Sequence, residues 1–147
     1  MGLHYWHQSM ETGLPTIDDY HRKLAEYLSD LENAMADDNR PFIGAMILEI
    51  IEHLEATFPY EEEVMREFDY PMVEDHIRVH ESFINRLRTY SERHSRGEDI
   101  SRKLTYDIKI WLTNHIQLQD GNYAKFISDK KRGKGPLGWV RRLLGAT

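Results

Sequence analysis

Apolar residues recur every three or four positions along four stretches of this chain, and no stretch keeps the two-residue alternation of a half-buried strand. That pattern restricts the fold to packed helices. Leu24, Leu28, Leu31 and Met35 mark the first stretch. Phe42, Met46, Ile50, Leu54, Phe58 and Met65 mark the second. Val73, Ile77, His80, Phe83, Ile84 and Leu87 mark the third, and Leu104, Ile108, Trp111, Leu112 and His115 the fourth, with a run on towards Phe126. Breakers separate them: Gly13 and Pro15, the turn Asp37 to Pro41, Tyr70-Pro71, and Gly97. Asp18 or Asp19 is placed to cap the first helix, and Asp99 or Ser101 the fourth. Short connections between helices of about 20 residues favour an all-α, up-down-up-down antiparallel four-helix bundle. Residues 1–17 read as an N-terminal arm. The bundle is expected over 1–129, followed by a short basic amphipathic tail over 130–147.

Charge divides the chain in the same way. Its net charge is −6, from 19 basic and 25 acidic residues. Lys130, Lys131, Arg132, Lys134, Arg141 and Arg142 lie in the tail, which has no acid, so residues 1–129 carry −12. An acidic body argues against a nucleic-acid partner. The stretch KKRGKG reads as a linker. Leu137, Val140 and Leu144, with Trp139 and Leu143 beside them, could form an apolar stripe that meets a protein or an anionic membrane surface, or that folds back on the bundle. Met1 to Met10 lacks the layout of a signal peptide, and no apolar run reaches membrane-spanning length, so a cytoplasmic location is expected.

Cysteine is absent, so any metal must be held by nitrogen and oxygen. Six side chains offer those atoms from the apolar stretches: His21, Glu61, His76, His80, His115 and Asp120. His76 and His80, at i and i+4, project from one helical face and can grip one ion. Such a pair is also common as a solvated feature. His115 and Asp120 are five apart and turn inward together with a modest rotation. Glu61 lies among Phe58, Val64 and Met65, and an ionised carboxylate facing a core needs a partner. Glu62 and Glu63 are expected to face water. Imidazoles and carboxylates without sulfur suit iron, manganese or zinc. Two carboxylates among four histidines are what a bridged pair of ions needs.

These residues resemble the hemerythrin family, and its single-domain bacterial members most closely. The resemblance rests on Trp6, Ser9, Gly13, Ile17-Asp18 and His21, then Phe58, Glu61-Glu62 and Met65, then Tyr70-Pro71, His76, His80 and Phe83. Trp111-Leu112, His115-Ile116, Asp120 and Tyr123 complete it, and it spans about residues 5–127. It implies two non-haem irons with an oxo or hydroxo bridge that bind O2, in a carrier, store or sensor. His76, His80 and His115 would hold one iron, and Glu61 and Asp120 would bridge. His21 would hold the second iron, and Trp111, Leu112 and Ile116 would line the O2 pocket. The chain is expected as a monomer or weak oligomer.

One family ligand is missing. The second histidine of the O2-binding iron should stand four residues before Glu61, where this chain has Thr57. Pro59, two residues on, removes an N–H and crowds the carbonyl of Glu55. Water could replace the ligand, leaving a centre that reacts with O2, peroxide or NO rather than carrying O2. His53, Tyr60 or Glu62 could substitute, although His53 lies roughly 6 Å too far along the helix axis. Alternatively only one metal binds. Tyr20, where the family often has glutamine, is a packing residue or a phenol near iron. A regulatory module acting through the tail is a further reading.

Overall fold

The computed structural model describes residues 6–132. Among them every regular element is helical: a 3-10 turn (Gln8–Met10), α1 (Pro15–Ala36), α2 (Arg40–Glu67), α3 (Val73–Ser95), α4 (Ser101–Ile110), a π-helical segment (Trp111–Asp120) and α5 (Gly121–Lys131). The last three follow one another without a break, so the architecture is a four-helix bundle. α1 packs on α2 and α4, and α2 packs on α3. No helix among the described residues is long and apolar enough to cross a membrane.

The arm is shorter than the sequence pattern indicated, because α1 already begins at Pro15. Proline presets the helical φ where the N–H has no intrahelical partner. Asp18 lies inside the first turn rather than at its cap. Its Oδ1 accepts from Thr12 N at 2.8 Å and Thr12 Oγ1 at 2.7 Å, and its Oδ2 accepts from Gly13 N at 3.2 Å. Gly13 makes that turn with φ +81. The arm is thereby tied down, Met10 is buried, and Ser9 Oγ accepts from Gln117 Nε2 at 3.1 Å on the π segment.

Asn39 caps α2 by accepting from Phe42 N at 3.2 Å. Phe42 itself is exposed, and Ile43 and Ile47 fill the core instead. α2 continues as helix through Pro59. After Gly97 (φ +90), Glu98 N donates to Arg93 O at 3.1 Å and ends α3. Lys130 and Lys131, read from sequence as linker, form the last turn of α5, with Lys130 over the Phe126 ring and Lys131 over Phe68. The tail from 133 onward lies outside the described residues.

The core has two parts. A large cluster includes Leu24, Leu28, Ile50, Leu54, Phe58, Phe83, Leu87, Ile108, Trp111 and Ile116. A smaller one contains Ile17, Met65, Tyr123 and Ile127. On α1, α2 and the last helix the candidate ligands fall between the two in sequence: His21 between Ile17 and Leu24, Glu61 between Phe58 and Met65, Asp120 between Ile116 and Tyr123. A polar layer is thus closed on both sides by hydrocarbon.

Candidate metal centre

α1 supplies His21, α2 supplies Glu61, α3 supplies His76 and His80, and the π segment supplies His115 and Asp120. All six are buried. Five residues along an ordinary α-helix place two side chains about 140° apart. A π-helix bonds each N–H to the fifth carbonyl back, and its wider turn brings i and i+5 nearer to one face. The π segment therefore aims His115 and Asp120 at one point, and this backbone change, not a modest rotation, answers the five-residue spacing.

Asp120 is the hub. Its Oδ1 lies 2.8 Å from His76 Nε2 and 3.1 Å from His115 Nε2, and its Oδ2 lies 3.1 Å from His21 Nε2. Glu61 Oε1 lies 2.8 Å from His21 Nε2, and Glu61 Oε2 lies 3.3 Å from His80 Nε2. Two sets of ligand atoms result, each within 4.8 Å: His76, His80, His115 and Asp120, and His21, Glu61 and Asp120. Asp120 belongs to both.

The arrangement fits metal better than hydrogen bonding alone. His76 Nε2, Glu61 Oε2 and both Asp120 oxygens are buried and have no hydrogen-bond partner, although donors and acceptors crowd together. Buried polar atoms seldom go unpaired, and ligand atoms aimed at a shared cation account for them. The field is strong. Burial works to lower the His21 pKa, but hydrogen bonds to Asp120 and Glu61 overcome it and push it up to about 10. Burial likewise opposes the rise of His80 to about 9, which Glu61 and Glu62 drive. At His115 burial wins and the pKa falls. Burial and Asp120 would raise Glu61, yet His21 and His80 hold it low. Asp120 is held well below the usual carboxylate range despite its burial, by His115, His21 and His76.

Packing fixes the rings. Phe58 stacks on His80 at 3.6 Å and 3°, Trp111 stacks on His115 at 3.8 Å, and Phe83 stacks on Trp111 at 4.0 Å. Leu112 and Ile116 are buried beside them. Tyr123, fully buried, donates to Glu61 Oε1 at 3.4 Å, and burial with the nearby anions pushes its phenol well above the ordinary range.

Thr57 is buried one helical turn before Glu61. The three side chains weighed as its replacement are engaged elsewhere. His53 donates from Nε2 to the Tyr20 carbonyl at 3.0 Å. Tyr60 is exposed, with its ring edge-on to Tyr20. Glu62, expected to face water, is partly buried and accepts from His80 Nδ1 at 2.8 Å. Gln119, which the sequence reading did not single out, accepts from His115 Nδ1 at 2.8 Å. The signal for Glu62 was Phe58, a core residue one turn earlier on the same line of α2. The signal for Gln119 was its place four residues after His115.

A four-helix bundle with a shared-carboxylate, histidine-rich centre defines a class of metal-binding helical proteins. Comparison with known families identifies which one. Residues 12–127 match the Hemerythrin HHE cation binding domain, so the chain belongs to the hemerythrin family, whose members are di-iron, oxygen-binding proteins. It is similar to a bacteriohemerythrin of Stenotrophomonas maltophilia (strain R551-3), 36% identical, with 98% of this chain and 97% of that one covered. A bacteriohemerythrin of Pseudomonas aeruginosa (strain LESB58) is 29% identical, covering 93% and 92%. A myohemerythrin of Theromyzon tessulatum is 24% identical, covering 80% and 88%.

Proposed function

We propose that the protein binds O2 at a di-iron centre whose second iron has one imidazole, from His21, instead of two. The observation that carries this reading is Thr57, buried where the family has its other histidine, with His53 held on the Tyr20 carbonyl. His76, His80 and His115 would hold the first iron, Glu61 and Asp120 would bridge, and His21 would hold the second. When bound, the irons supply the electrons that O2 takes up on binding. The chain does the rest. Trp111, Leu112 and Ile116 form an apolar wall that keeps water out, and the stacked Phe58 and Trp111 rings hold two ligands in register. Tyr123 keeps a neutral hydroxyl on Glu61.

The buried Thr57 also favours a second reading, in which the extra open position makes the centre react with O2, peroxide or NO. Anaerobic reconstitution with Fe(II), followed by iron analysis and exposure to air, separates these outcomes. Two irons per chain and a stable oxygenated spectrum support carriage, storage or sensing. Two irons with rapid autoxidation support the reactive centre. One iron per chain overturns both. The basic tail is proposed as a contact for a protein or anionic membrane surface, separate from the metal centre. Truncation after Arg132 is expected to leave the iron content unchanged, and loss of iron on truncation ends that separation.

A further inference from the structure

Three of the imidazoles that converge on the carboxylates differ in what stands behind them. His80 Nδ1 faces the Glu62 carboxylate at 2.8 Å, and His115 Nδ1 faces the Gln119 amide oxygen at 2.8 Å. His21 Nδ1 is buried with no hydrogen-bond partner. The backing runs from an anion, through a neutral dipole, to nothing. In each ring Nε2 faces the shared carboxylates, so the proton of the neutral ring belongs on Nδ1. A carboxylate that accepts this proton lends the ring imidazolate character and makes Nε2 a stronger donor.

Glu62 is well placed for this. Its side chain is only 16% exposed, so water screens its charge weakly. It lines a cleft of about 390 Å³ between α2 and α3 that also contains Arg88, but Arg88 NH2 is engaged by Glu55 Oε2 at 3.1 Å. Among the described residues the ion-pair partner of Glu62 is therefore His80 itself. The ring cannot swing away from it, because Phe58 lies flat against its face.

We infer that Glu62 is a positioning residue that acts through His80 to lower the reduction potential of the three-histidine iron relative to the iron at His21. A stronger, more anionic donor favours Fe(III) over Fe(II), so the iron backed by Glu62 gives up its electron first. This inference rests on the reading that His80 holds iron.

The test uses the full chain loaded with iron and two substitutions of opposite sense. Glu62→Gln keeps the size and an acceptor oxygen while removing the charge. Gln119→Glu adds a charge behind His115, from an exposed position that tolerates it. Spectroelectrochemical titration is expected to show a higher potential for one iron in Glu62→Gln and a lower one in Gln119→Glu. Competition with a chelator is expected to show Fe(II) held about ten- to hundred-fold more weakly in Glu62→Gln. Unmoved potentials, or shifts of the same sign in both variants, overturn the inference. Weaker metal binding in Glu62→Gln at an unchanged potential also overturns it, since that is a purely structural effect. If Glu62→Gln does not fold, the sign of the Gln119→Glu shift still decides. Unmodified protein that takes up no iron would instead defeat the di-iron reading on which the inference stands.

Discussion

His53 donates its Nε2 proton to the backbone carbonyl of Tyr20 at 3.0 Å, with Tyr20 and Tyr27 edge-on to its ring. The contact ties α2 to α1 immediately before His21 and gives this imidazole a structural task. His53→Ala is therefore expected to leave the iron content unchanged while lowering stability by about 1 kcal/mol, the net worth of an ordinary hydrogen bond. Thr57→His is expected to do the opposite. It adds a donor one turn before Glu61, raises Fe(II) retention and slows decay of the oxygenated form. Iron analysis on both variants, with thermal melts, checks the pair. Loss of iron from His53→Ala would return His53 to the ligand set.

Asp120 serves both groups of ligand atoms, with one oxygen directed to His76 and His115 and the other to His21. Asp120→Asn is expected to deplete both metals, whereas His21→Ala is expected to spare the one held by His76, His80 and His115. Iron per chain after reconstitution distinguishes them. Equal depletion by the two substitutions would mean that the sites fill only together.

Without metal, His21 titrates at about 10 and His80 at about 9, against an ordinary value of 6.5. Burial opposes both shifts, and the facing carboxylates drive them. Raised histidine values mean that the stabilisation is complete below pH 6.5 and is lost as pH rises through 9 to 10. The chelator-treated protein is thus expected to melt at progressively lower temperature between pH 6.5 and 10. Metal loading displaces the same protons, so it is expected to release acid near neutral pH, measurable in weakly buffered solution. His21 and His80 both face Glu61, so their contributions do not add.

Tyr90 donates its hydroxyl to Asp107 and ties α3 to α4. Burial, then Asp107, pushes its pKa to about 12 from 10.0. A raised phenol value gives stability that is present below pH 10 and lost on the way to 12. Tyrosinate absorbance is expected to lose one late-titrating tyrosine in Tyr90→Phe while buried Tyr123 remains late.

Much of this arrangement was legible because helices announce themselves by period. The leucines of α1 and the pair His76 and His80 repeat at three or four, and burial follows from that repeat alone. Helix ends were harder. Asp18 looked like a cap, but a carboxylate can also bind the preceding loop from inside the first turn, as it does with Thr12 and Gly13. The π segment was hidden for a different reason. Trp111, Leu112, His115 and Ile116 satisfy an α-helical stripe, and only the step from His115 to Asp120 departs from it. One spacing cannot reveal a change of backbone hydrogen-bond register. Glu62 had one signal, its place one turn after Phe58, but in a run of three glutamates that signal does not say which one a histidine on another helix reaches.

The candidate ligands run from His21 on α1 to Asp120 at the end of the π segment, which among the described residues is followed only by α5. A ribosome therefore releases His21 and Glu61 long before Asp120 exists to join them. A chain made only through α3 already offers His21, Glu61, His76 and His80 but lacks the Asp120 carboxylate shared by the two groups of ligand atoms. Both groups of ligand atoms are therefore complete only once the π segment has been made.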